Sequence, residues 1–371
     1  MTLPKPLRVG IISAAWGGYA HLPAWRAVPG VEVTALCTSR QETAQAAALR
    51  LGIARPFWDA EALCADPDID IIDCGTRPVW RKPWVIAALR HGKHVYNACP
   101  HAPDWAGAKE IDAAWRGTDR VGVVDAYAQW IPAHRQMRAM LDQGDLGTLY
   151  GGTCHFSISL FNQPSKAFPY TWFADGSAGV SAVRNNGSHA LHMLTHLFGP
   201  VAELVADDSQ LLKEWVFPDG DRVQSETNDF ANVILRFASG LVMQMQISWS
   251  LPLGNGWLID VHGSKGRMTV TSPTFPTARD CVLSAGQSGG TMAAVEIEDQ
   301  FKSVPGVALD WQGEPQPSAI MAFSMHAMVE AIAGRGKAAP DFASALEIER
   351  IQEAIRVSSL ERRWVRMTEI L

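Results

Sequence analysis

The sequence predicts an α/β protein: an N-terminal Rossmann domain with a doubly wound parallel sheet, then a C-terminal α/β domain with a large open, mainly antiparallel sheet. From Leu7 to about Asp125, short apolar runs alternate with helical periods, which is typical of βαβ units. Beyond Asp125, strands with period-two patterns follow one another through Gly-containing turns, which indicates antiparallel pairing. We therefore expect a dinucleotide-binding domain over 1–126 and a substrate-binding and oligomerisation domain over 127–371.

Composition agrees with two globular domains and limits the partners. The chain has 371 residues and a net charge of -6, so there is no overall basic bias to attract nucleic acid or anionic membranes. Its six cysteines form no CxxC pair, which favours reduced thiols in a cytoplasmic protein. No apolar stretch reaches the roughly 18 residues of a membrane span, and the N-terminus is predicted to be a strand rather than a signal peptide.

The N-terminal elements follow from the apolar runs and from the helices between them. Helices are predicted over 42–52 and 83–92, because apolar residues recur at helical spacing and each segment ends in Gly. The strands of the parallel sheet are predicted over 7–13, 31–37, 55–58, 68–74, 93–99 and 120–126.

The C-terminal half begins with a helix over 131–143 that ends in the turn GDLG. A helix is predicted over 188–199 and another over 345–363, for which packing back on the N-terminal domain is left open. The segment 276–320 is rich in loops and is left unassigned. Antiparallel strands are predicted in LYGGTCHFSISLF, FANVILRFASG, LVMQMQISWS and WLIDVHGSKGRMTV.

The turn after the first strand is a candidate pyrophosphate site. Backbone amides at a helix N-terminus must approach the phosphates closely, so this turn needs small residues. The three fingerprint positions fall on Ser13, Ala15 and Gly18, so two of the three glycines are replaced by other small residues. Trp16 and Gly17 complete the candidate cofactor contacts. The alternative is a plain strand-to-helix turn without a ligand.

The end of the second strand bears on the choice of cofactor. An acidic residue is usual there, because it binds the ribose 2′-hydroxyl of NAD. This chain instead has Thr38, Ser39 and Arg40 after Cys37. An arginine suits a 2′-phosphate, so NADP is favoured and NAD remains the second choice. The alternative is that Arg40 is a solvated cation at a strand end.

The phosphate turn, the motif KHVYNACP, a mid-chain GSH and FASGLVMQM followed by GSKGRM together resemble the glucose-fructose oxidoreductase, inositol dehydrogenase and MocA (Gfo/Idh/MocA) family. The resemblance covers nearly the whole chain. It implies hydride transfer between a nicotinamide and a sugar, polyol or related cyclic alcohol. It also implies a homodimer or homotetramer formed through the C-terminal sheet.

The resemblance implies three catalytic positions, two of which depart from the family pattern. A Glu-Lys-Pro triplet of the family is Ala98-Cys99-Pro100 here, so Cys99 replaces the lysine that contacts the reacting hydroxyl. The family's acid four residues before a histidine is Asn185, while His189 is kept. We expect His189 to act as acid and base, since its ordinary pKa near ~6.5 permits proton exchange at neutral pH. Cys99 and Asn185 would orient the substrate, although buried packing is the alternative for Cys99.

Further candidates surround these positions. Thr76 and Arg77 follow the fourth strand, where the resemblance implies a loop that passes the nicotinamide ribose, and Asn97 in the fifth strand is a further candidate cofactor contact. Tyr127 and Gln129 occupy the hinge into the second domain, and Trp172 lies in an aromatic loop with Tyr170. Candidate substrate contacts also include Arg184 and His192. His189, His192 and His196 lack a carboxylate orienter, so no metal site is predicted.

Two other functions remain open at this stage. One is a redox-neutral enzyme with bound nucleotide that performs elimination, hydration or glycoside cleavage. The other is a nonenzymatic regulator that keeps the pockets without the catalytic residues. No DNA-binding motif is found, so such a regulator would act through a protein partner.

Overall fold

The computed structural model describes residues 5–166, 171–308 and 317–371, and Tyr170 of the predicted aromatic loop lies outside these ranges. Its first sheet has six parallel strands in the order β3-β2-β1-β4-β5-β6, which is the doubly wound Rossmann order. The strands are β1 (Leu7–Ile12), β2 (Val31–Cys37), β3 (Arg55–Phe57), β4 (Ile71–Cys74), β5 (His94–Asn97) and β6 (Gly122–Val124). All six lie within strands predicted from the sequence.

Helices connect these strands, as right-handed crossovers require. A π-helical turn, Gly17–His21, runs directly into the first α-helix, and a 3-10 turn, Tyr127–Trp130, follows β6. The α-helices are α1 (Leu22–Arg26), α2 (Gln41–Leu51), α3 (Ala60–Ala65), α4 (Pro78–Arg90) and α5 (Trp105–Arg116). Helix α4 begins five residues before the predicted start, with Pro78 in its first turn, where a missing N–H costs no hydrogen bond.

The second sheet has nine strands in the order β16-β15-β14-β13-β7-β12-β11-β8-β17. Among the strand pairs that the described residues form in this sheet, only β7–β12 is parallel, so the sheet is mainly antiparallel, as predicted. Its strands are β7 (Leu149–Ser157), β8 (Val201–Ser209), β11 (Phe230–Phe237), β12 (Val242–Ser248), β13 (Gly256–Gly263), β14 (Gly266–Ser272), β15 (Val282–Gln287), β16 (Ala293–Ala294) and β17 (Val365–Arg366), and a separate hairpin consists of β9 (Glu214–Val216) and β10 (Arg222–Gln224).

The remaining helices include the one that carries the candidate catalytic histidine and the last α-helix of the chain. A π-helical turn, Val183–Gly187, leads without a break into one of them, and 3-10 turns span Thr171–Ala174, Gly176–Ala178 and Met367–Glu369. These helices are α6 (Pro132–Asp142), α7 (Ser188–Phe198), α8 (Asp299–Lys302), α9 (Ser318–Ile332) and α10 (Phe342–Glu361). None of the helices in the described ranges has the length and apolar character to cross a membrane.

Backbone proximity divides the chain into two units. The first contains Met1–Trp130 and Ser303–Leu346, and the second contains Ile131–Lys302 and Glu347–Leu371. The first boundary is four residues from the predicted one at 126/127. The predicted second domain, 127–371, differs more, because residues 303–346 join the Rossmann unit. Their place there has a visible cause, since Phe342 packs so closely on Gly122 of β6 that a Cβ on this glycine would lie 2.6 Å from the Phe342 ring.

Candidate functional site

The turn after β1 presents small residues at the start of a helix. Ser13 has a φ of +157° and its Oγ accepts the Ala15 N–H at 3.1 Å. Ala15 is exposed, while Trp16 is half-buried and precedes the helix. The first N–H groups of a helix have no intrahelical acceptor, so this turn offers donors to an anion.

The glycines of the turn are packed so closely that a side chain at these positions would meet neighbouring atoms. A Cβ on Gly17 would lie 2.6 Å from Cγ2 of Ile11, and a Cβ on Gly18 would lie 3.0 Å from Leu51. A Cβ on Gly75, just after β4, would lie 3.1 Å from the backbone nitrogen of Gly17. The segment after β4 therefore approaches the backbone of Gly17 directly, while Gly17 and Gly18 also pack against the side chains of Ile11 and Leu51. These residues fit the pyrophosphate of a dinucleotide, because the turn is made of small residues at the start of a helix and Ala15 is exposed.

The end of β2 carries the residues predicted to choose the cofactor. Thr38 is fixed, because its Oγ1 lies 2.7 Å from the hydroxyl of Thr43 and donates to the Arg40 carbonyl at 3.1 Å. Ser39 and Arg40 are both exposed, and in the described ranges the Arg40 guanidinium makes no hydrogen bond or ion pair. Arg40 precedes the first residue of α2. Its charge is therefore available at the position where a 2′-phosphate is expected.

A buried arginine, which sequence reasoning missed, joins the loops after β4 and β5. Arg81 is only 2% exposed and donates to the carbonyl of Thr76 at 2.5 Å and to that of Ala98 at 2.8 Å. It also donates to the carbonyl of Pro100, which follows Cys99 through a cis peptide bond. Arg81 thus fixes the backbone on both sides of half-buried Cys99.

The other predicted residues of these loops have different surroundings. The guanidinium of half-buried Arg77 stacks on the exposed Trp80 ring at 4.3 Å. Asn97 is fully buried, and its Nδ2 donates to the His101 carbonyl at 2.7 Å and lies 3.1 Å from His101 Nδ1. The Asn97 side chain is therefore engaged within the protein. Tyr127 is buried and Gln129 is half-buried in the 3-10 turn after β6.

A second feature absent from the sequence predictions is a buried charged cluster under the phosphate turn, which we call the His21 cluster. Nδ1 of His21 lies 2.8 and 3.0 Å from the two carboxyl oxygens of Asp73, and Nε2 lies 3.1 Å from Asp125 Oδ2. Burial lowers the pKa of His21, but the charges and hydrogen bonds of the two aspartates outweigh it and raise that pKa to about 10. The cluster comprises His21, Asp73, Asp125 and the donors Trp16, Trp25 and Tyr96.

A sequence signal for this cluster exists, although it is indirect. Asp73 and Asp125 stand at the ends of the apolar runs DIDIIDC and RVGVVDA, where ionised side chains are unexpected. Buried carboxylates need a partner of opposite charge. No local spacing identifies His21 as that partner, because 52 residues separate it from Asp73 and 104 from Asp125.

In the second unit, the helix that carries the predicted catalytic pair begins early enough to place both residues on it. Asn185 lies in the π-helical turn and His189 in the first turn of α7, so the two are i, i+4 neighbours in one continuous helix. His189 is 6% exposed, and its ring meets Phe275 edge to face at a centroid distance of 5.1 Å. Nδ1 of His189 is shielded from solvent.

The same helix is tied to α10 through buried polar contacts. Arg184 donates to Glu349 at 2.6 Å, and the Glu349 side chain is only 1% exposed. Gln352 donates to the Ser188 hydroxyl at 2.6 Å, which in turn donates to the Arg184 carbonyl at 2.6 Å. The Arg184 charge is therefore paired inside the protein with that of Glu349, which weighs against its predicted role as a substrate contact.

The remaining predicted residues of this unit are His192 and Trp172. His192 is 5% exposed, whereas His196 on the same helix is exposed. Trp172 is half-buried in a 3-10 turn, where its ring lies 4.3 Å from that of Phe173. Across the described ranges, no three or more His, Cys, Asp or Glu side chains are grouped so as to hold a metal ion.

Comparison with known proteins gives the class of this fold and site. Residues 7–125 match the model of an oxidoreductase family with an NAD-binding Rossmann fold. Residues 134–269 match the GFO/IDH/MocA C-terminal domain. The chain belongs to the Gfo/Idh/MocA family of oxidoreductases, and its N-terminal domain is an NAD-binding Rossmann domain. The predicted family and nicotinamide cofactor are thereby confirmed.

Individual relatives are distant but match over most of their length. D-apiose dehydrogenase of Paraburkholderia graminis is 26% identical, with 89% of this chain and 88% of that protein covered. Levoglucosan dehydrogenase of Pseudarthrobacter phenanthrenivorans is 22% identical, with 98% and 99% covered. A levoglucosan dehydrogenase structure in complex with NADH and L-sorbose has a TM-score of 0.85 at 21% identity, with 98% and 99% covered. That structure confirms the predicted fold.

Proposed function

We propose that this protein is a nicotinamide-dependent dehydrogenase or reductase that transfers hydride to or from a cyclic alcohol or carbonyl compound, such as a sugar or polyol. The observation that carries the proposal is the small-residue turn at a helix N-terminus, where Gly75 approaches the backbone of Gly17 and neither Gly17 nor Gly18 has room for a side chain. Two relatives are named for the sugars D-apiose and levoglucosan, which favours this substrate class. When bound, the nicotinamide would supply the hydride acceptor or donor.

His189 is the residue to which we assign proton transfer. Its imidazole can accept the proton of a substrate hydroxyl and return it to a carbonyl oxygen at neutral pH. Because Nδ1 is shielded from solvent, we assign the exchange of this proton with the substrate to Nε2. Asn185, its neighbour on the helix, can orient a hydroxyl but cannot take its proton. Cys99, held between carbonyls that Arg81 fixes, would contact the substrate as an orienting group.

The test of this role is turnover of a panel of cyclic sugars, polyols and aromatic diols, followed by nicotinamide absorbance. Replacement of His189 by Ala should lower kcat by about 10²- to 10⁴-fold while the Kd for NADH is unchanged. His196→Asn, on the same helix, is the matched control and should leave kcat within about twofold. Absence of turnover with wild-type protein that binds NADH would count against a dehydrogenase. Product formed without net absorbance change would instead support the redox-neutral alternative.

We further propose that NADP is preferred over NAD. The support is exposed Arg40, which makes no ion pair in the described ranges and offers bidentate donors beside Thr38 and Ser39. NADPH should bind more tightly than NADH, and Arg40→Ala should weaken NADPH about tenfold with little effect on NADH. Arg50→Ala, at the other end of α2, is the matched control. Tighter binding of NADH than of NADPH by the wild type would refute the preference.

Assembly through the C-terminal sheet remains a proposal as well. Alternate residues of β11 are buried, and Ile234 on the opposite face is 41% exposed. An apolar side chain on an open sheet face suits an interface with a second copy. Light scattering should give a dimer or tetramer for the wild type and a smaller species for Ile234→Glu; a monomeric wild type would contradict the proposal.

A further inference from the structure

The His21 cluster joins three segments that border the predicted dinucleotide site. His21 ends the π-helical turn that follows the phosphate turn, Asp73 lies one residue before the end of β4, and Asp125 follows β6. His21 and Asp73 are fully buried, and Asp125 is 3% exposed. The three charged groups of the cluster are therefore closed to solvent, and they cannot act on a substrate directly.

The protonation of His21 follows from its two neighbours. Both ring nitrogens lie within hydrogen-bond distance of carboxylate oxygens, and a carboxylate accepts but does not donate. Both nitrogens must then carry hydrogen, so the ring is an imidazolium. The other groups around it are neutral donors, since Trp25 donates to Asp73 at 2.6 Å and Tyr96 donates to Asp125 at 3.3 Å.

One oxygen of Asp125 connects this buried cation to the phosphate turn. Asp125 Oδ2 accepts from His21 Nε2 at 3.1 Å and from Trp16 Nε1 at 3.2 Å. Trp16 immediately precedes Gly17, where the helix begins. Its indole therefore ties the start of that helix to a carboxylate that His21 holds in place. Without the imidazolium, Asp73 and Asp125 would be two buried carboxylates of like charge in one site, which is a costly arrangement.

We propose that His21 and Asp125 are positioning residues for the bound cofactor: they fix the Trp16 indole and thereby aim the first amides of the helix at the pyrophosphate. This inference rests on the dinucleotide binding of the Rossmann domain and adds residues outside the phosphate turn to it. It assigns Trp16 a specific contribution, namely holding the turn through its N–H group. The affinity for any ligand that contains the pyrophosphate should then depend on that hydrogen bond.

The test measures binding of ADP-ribose, which has the pyrophosphate but no nicotinamide, by calorimetry. Trp16→Phe removes the N–H and keeps a ring, while Asp125→Asn keeps the shape and removes the charge. Each should weaken ADP-ribose about tenfold, since a hydrogen bond to a charged group is lost. The double variant should bind ADP-ribose no more weakly than the single variant with the larger loss of affinity, because both changes break the same contact. Adenosine, which lacks the pyrophosphate, should bind all variants equally.

Trp115→Phe is the matched control. Trp115 is also half-buried in the Rossmann unit, and its indole N–H donates at 2.8 Å to the Arg120 carbonyl, away from the cluster. This variant should keep the wild-type Kd for ADP-ribose. His21→Gln serves as a further variant and should resemble Asp125→Asn if it folds, as judged by near-ultraviolet circular dichroism.

Two results would overturn the inference. Trp16→Phe and Asp125→Asn variants that lose thermal stability but keep the Kd for ADP-ribose within twofold would show a purely structural cluster. Strictly additive losses in the double variant would show that the two residues act independently. Failure of dinucleotide binding itself would be a separate outcome, because the wild type would then bind neither NADH nor ADP-ribose.

Discussion

Raising the pH should destabilise the Rossmann unit through His21. Its pKa of about 10 in the folded protein lies above the ordinary value of 6.5 that applies after unfolding. The folded state therefore binds the proton more tightly, so the stabilisation is complete below pH 6.5 and is lost as the pH rises toward 10. The difference corresponds to about 5 kcal/mol in total, lost at about 1.4 kcal/mol per pH unit.

The interval from about pH 7 to about pH 8.5 isolates this effect. Burial lowers the pKa of His94 to about 4, so His94 is already neutral there. Burial raises the pKa of Cys37 to about 12, so this thiol affects stability only when the unfolded thiol ionises, nearer its ordinary value of 9.0. Asp208, whose pKa burial raises to about 6, is already ionised. Urea unfolding across this interval should show a loss of about 2 kcal/mol.

Variants make the measurement specific. His21→Gln should abolish the pH dependence, whereas His94→Gln should retain it, because His94 does not titrate in this interval. Nitrogen-15 spectra of the wild-type histidines should show one ring protonated on both nitrogens at about pH 8. A free energy of unfolding that is flat over the interval, together with a neutral His21 ring, would refute the reasoning.

Three substitutions test other contacts by urea unfolding. Arg81→Met removes the donor to three carbonyls, two of them buried, and should lower the free energy of unfolding by about 3 kcal/mol. Arg81→Lys should lose about half as much, and equal losses for the two variants would contradict the role of the guanidinium's fork geometry. Gly17→Ala places a Cβ 2.6 Å from Cγ2 of Ile11 and should cost about 1–3 kcal/mol, whereas Gly117→Ala, whose Cβ would lie 3.9 Å from the Ala114 carbonyl oxygen, should be tolerated. Arg184→Met removes the arginine that pairs with buried Glu349 and should lower the free energy of unfolding by about 3–5 kcal/mol. The double variant Arg184→Met with Glu349→Gln should recover part of this loss.

The parallel sheet and the strands β7, β11, β12, β13 and β14 could be predicted from the sequence because their apolar runs are short and bounded by turns, whereas the other strands of the second half and several helices were not predicted. Helix α9 has buried residues on every side and thus no polar face to reveal a helical period. Helix α5 did carry a signal that the prediction overlooked, since the Asp104 carboxylate caps it by accepting the Gly107 N–H at 2.7 Å. The early start of α4 was missed because Pro83 stands inside it.

The site was predictable where residues act through local chain geometry and unpredictable where they act through distant partners. The positions of Gly17 and Gly18 follow from a strand-turn-helix pattern that any Rossmann sequence shares. Arg184 illustrates the opposite case, because its partner Glu349 is 165 residues away and nothing nearby distinguishes a paired arginine from a free one. Arg81 and His21 were missed for the same reason.

The buried guanidinium of Arg81 bears on how the site works without the family lysine. It donates to the carbonyls of Ala98 and Pro100, on either side of Cys99, and to that of Thr76. Arg81 is only 2% exposed, so its charge is engaged within the protein. An arginine also keeps its proton at any physiological pH, so Arg81 can position the loop but cannot exchange a proton with substrate. Cys99 offers only a thiol. Under the proposed function, proton transfer is therefore assigned to His189, and we expect the activity of the protein to depend on the protonation of that one imidazole.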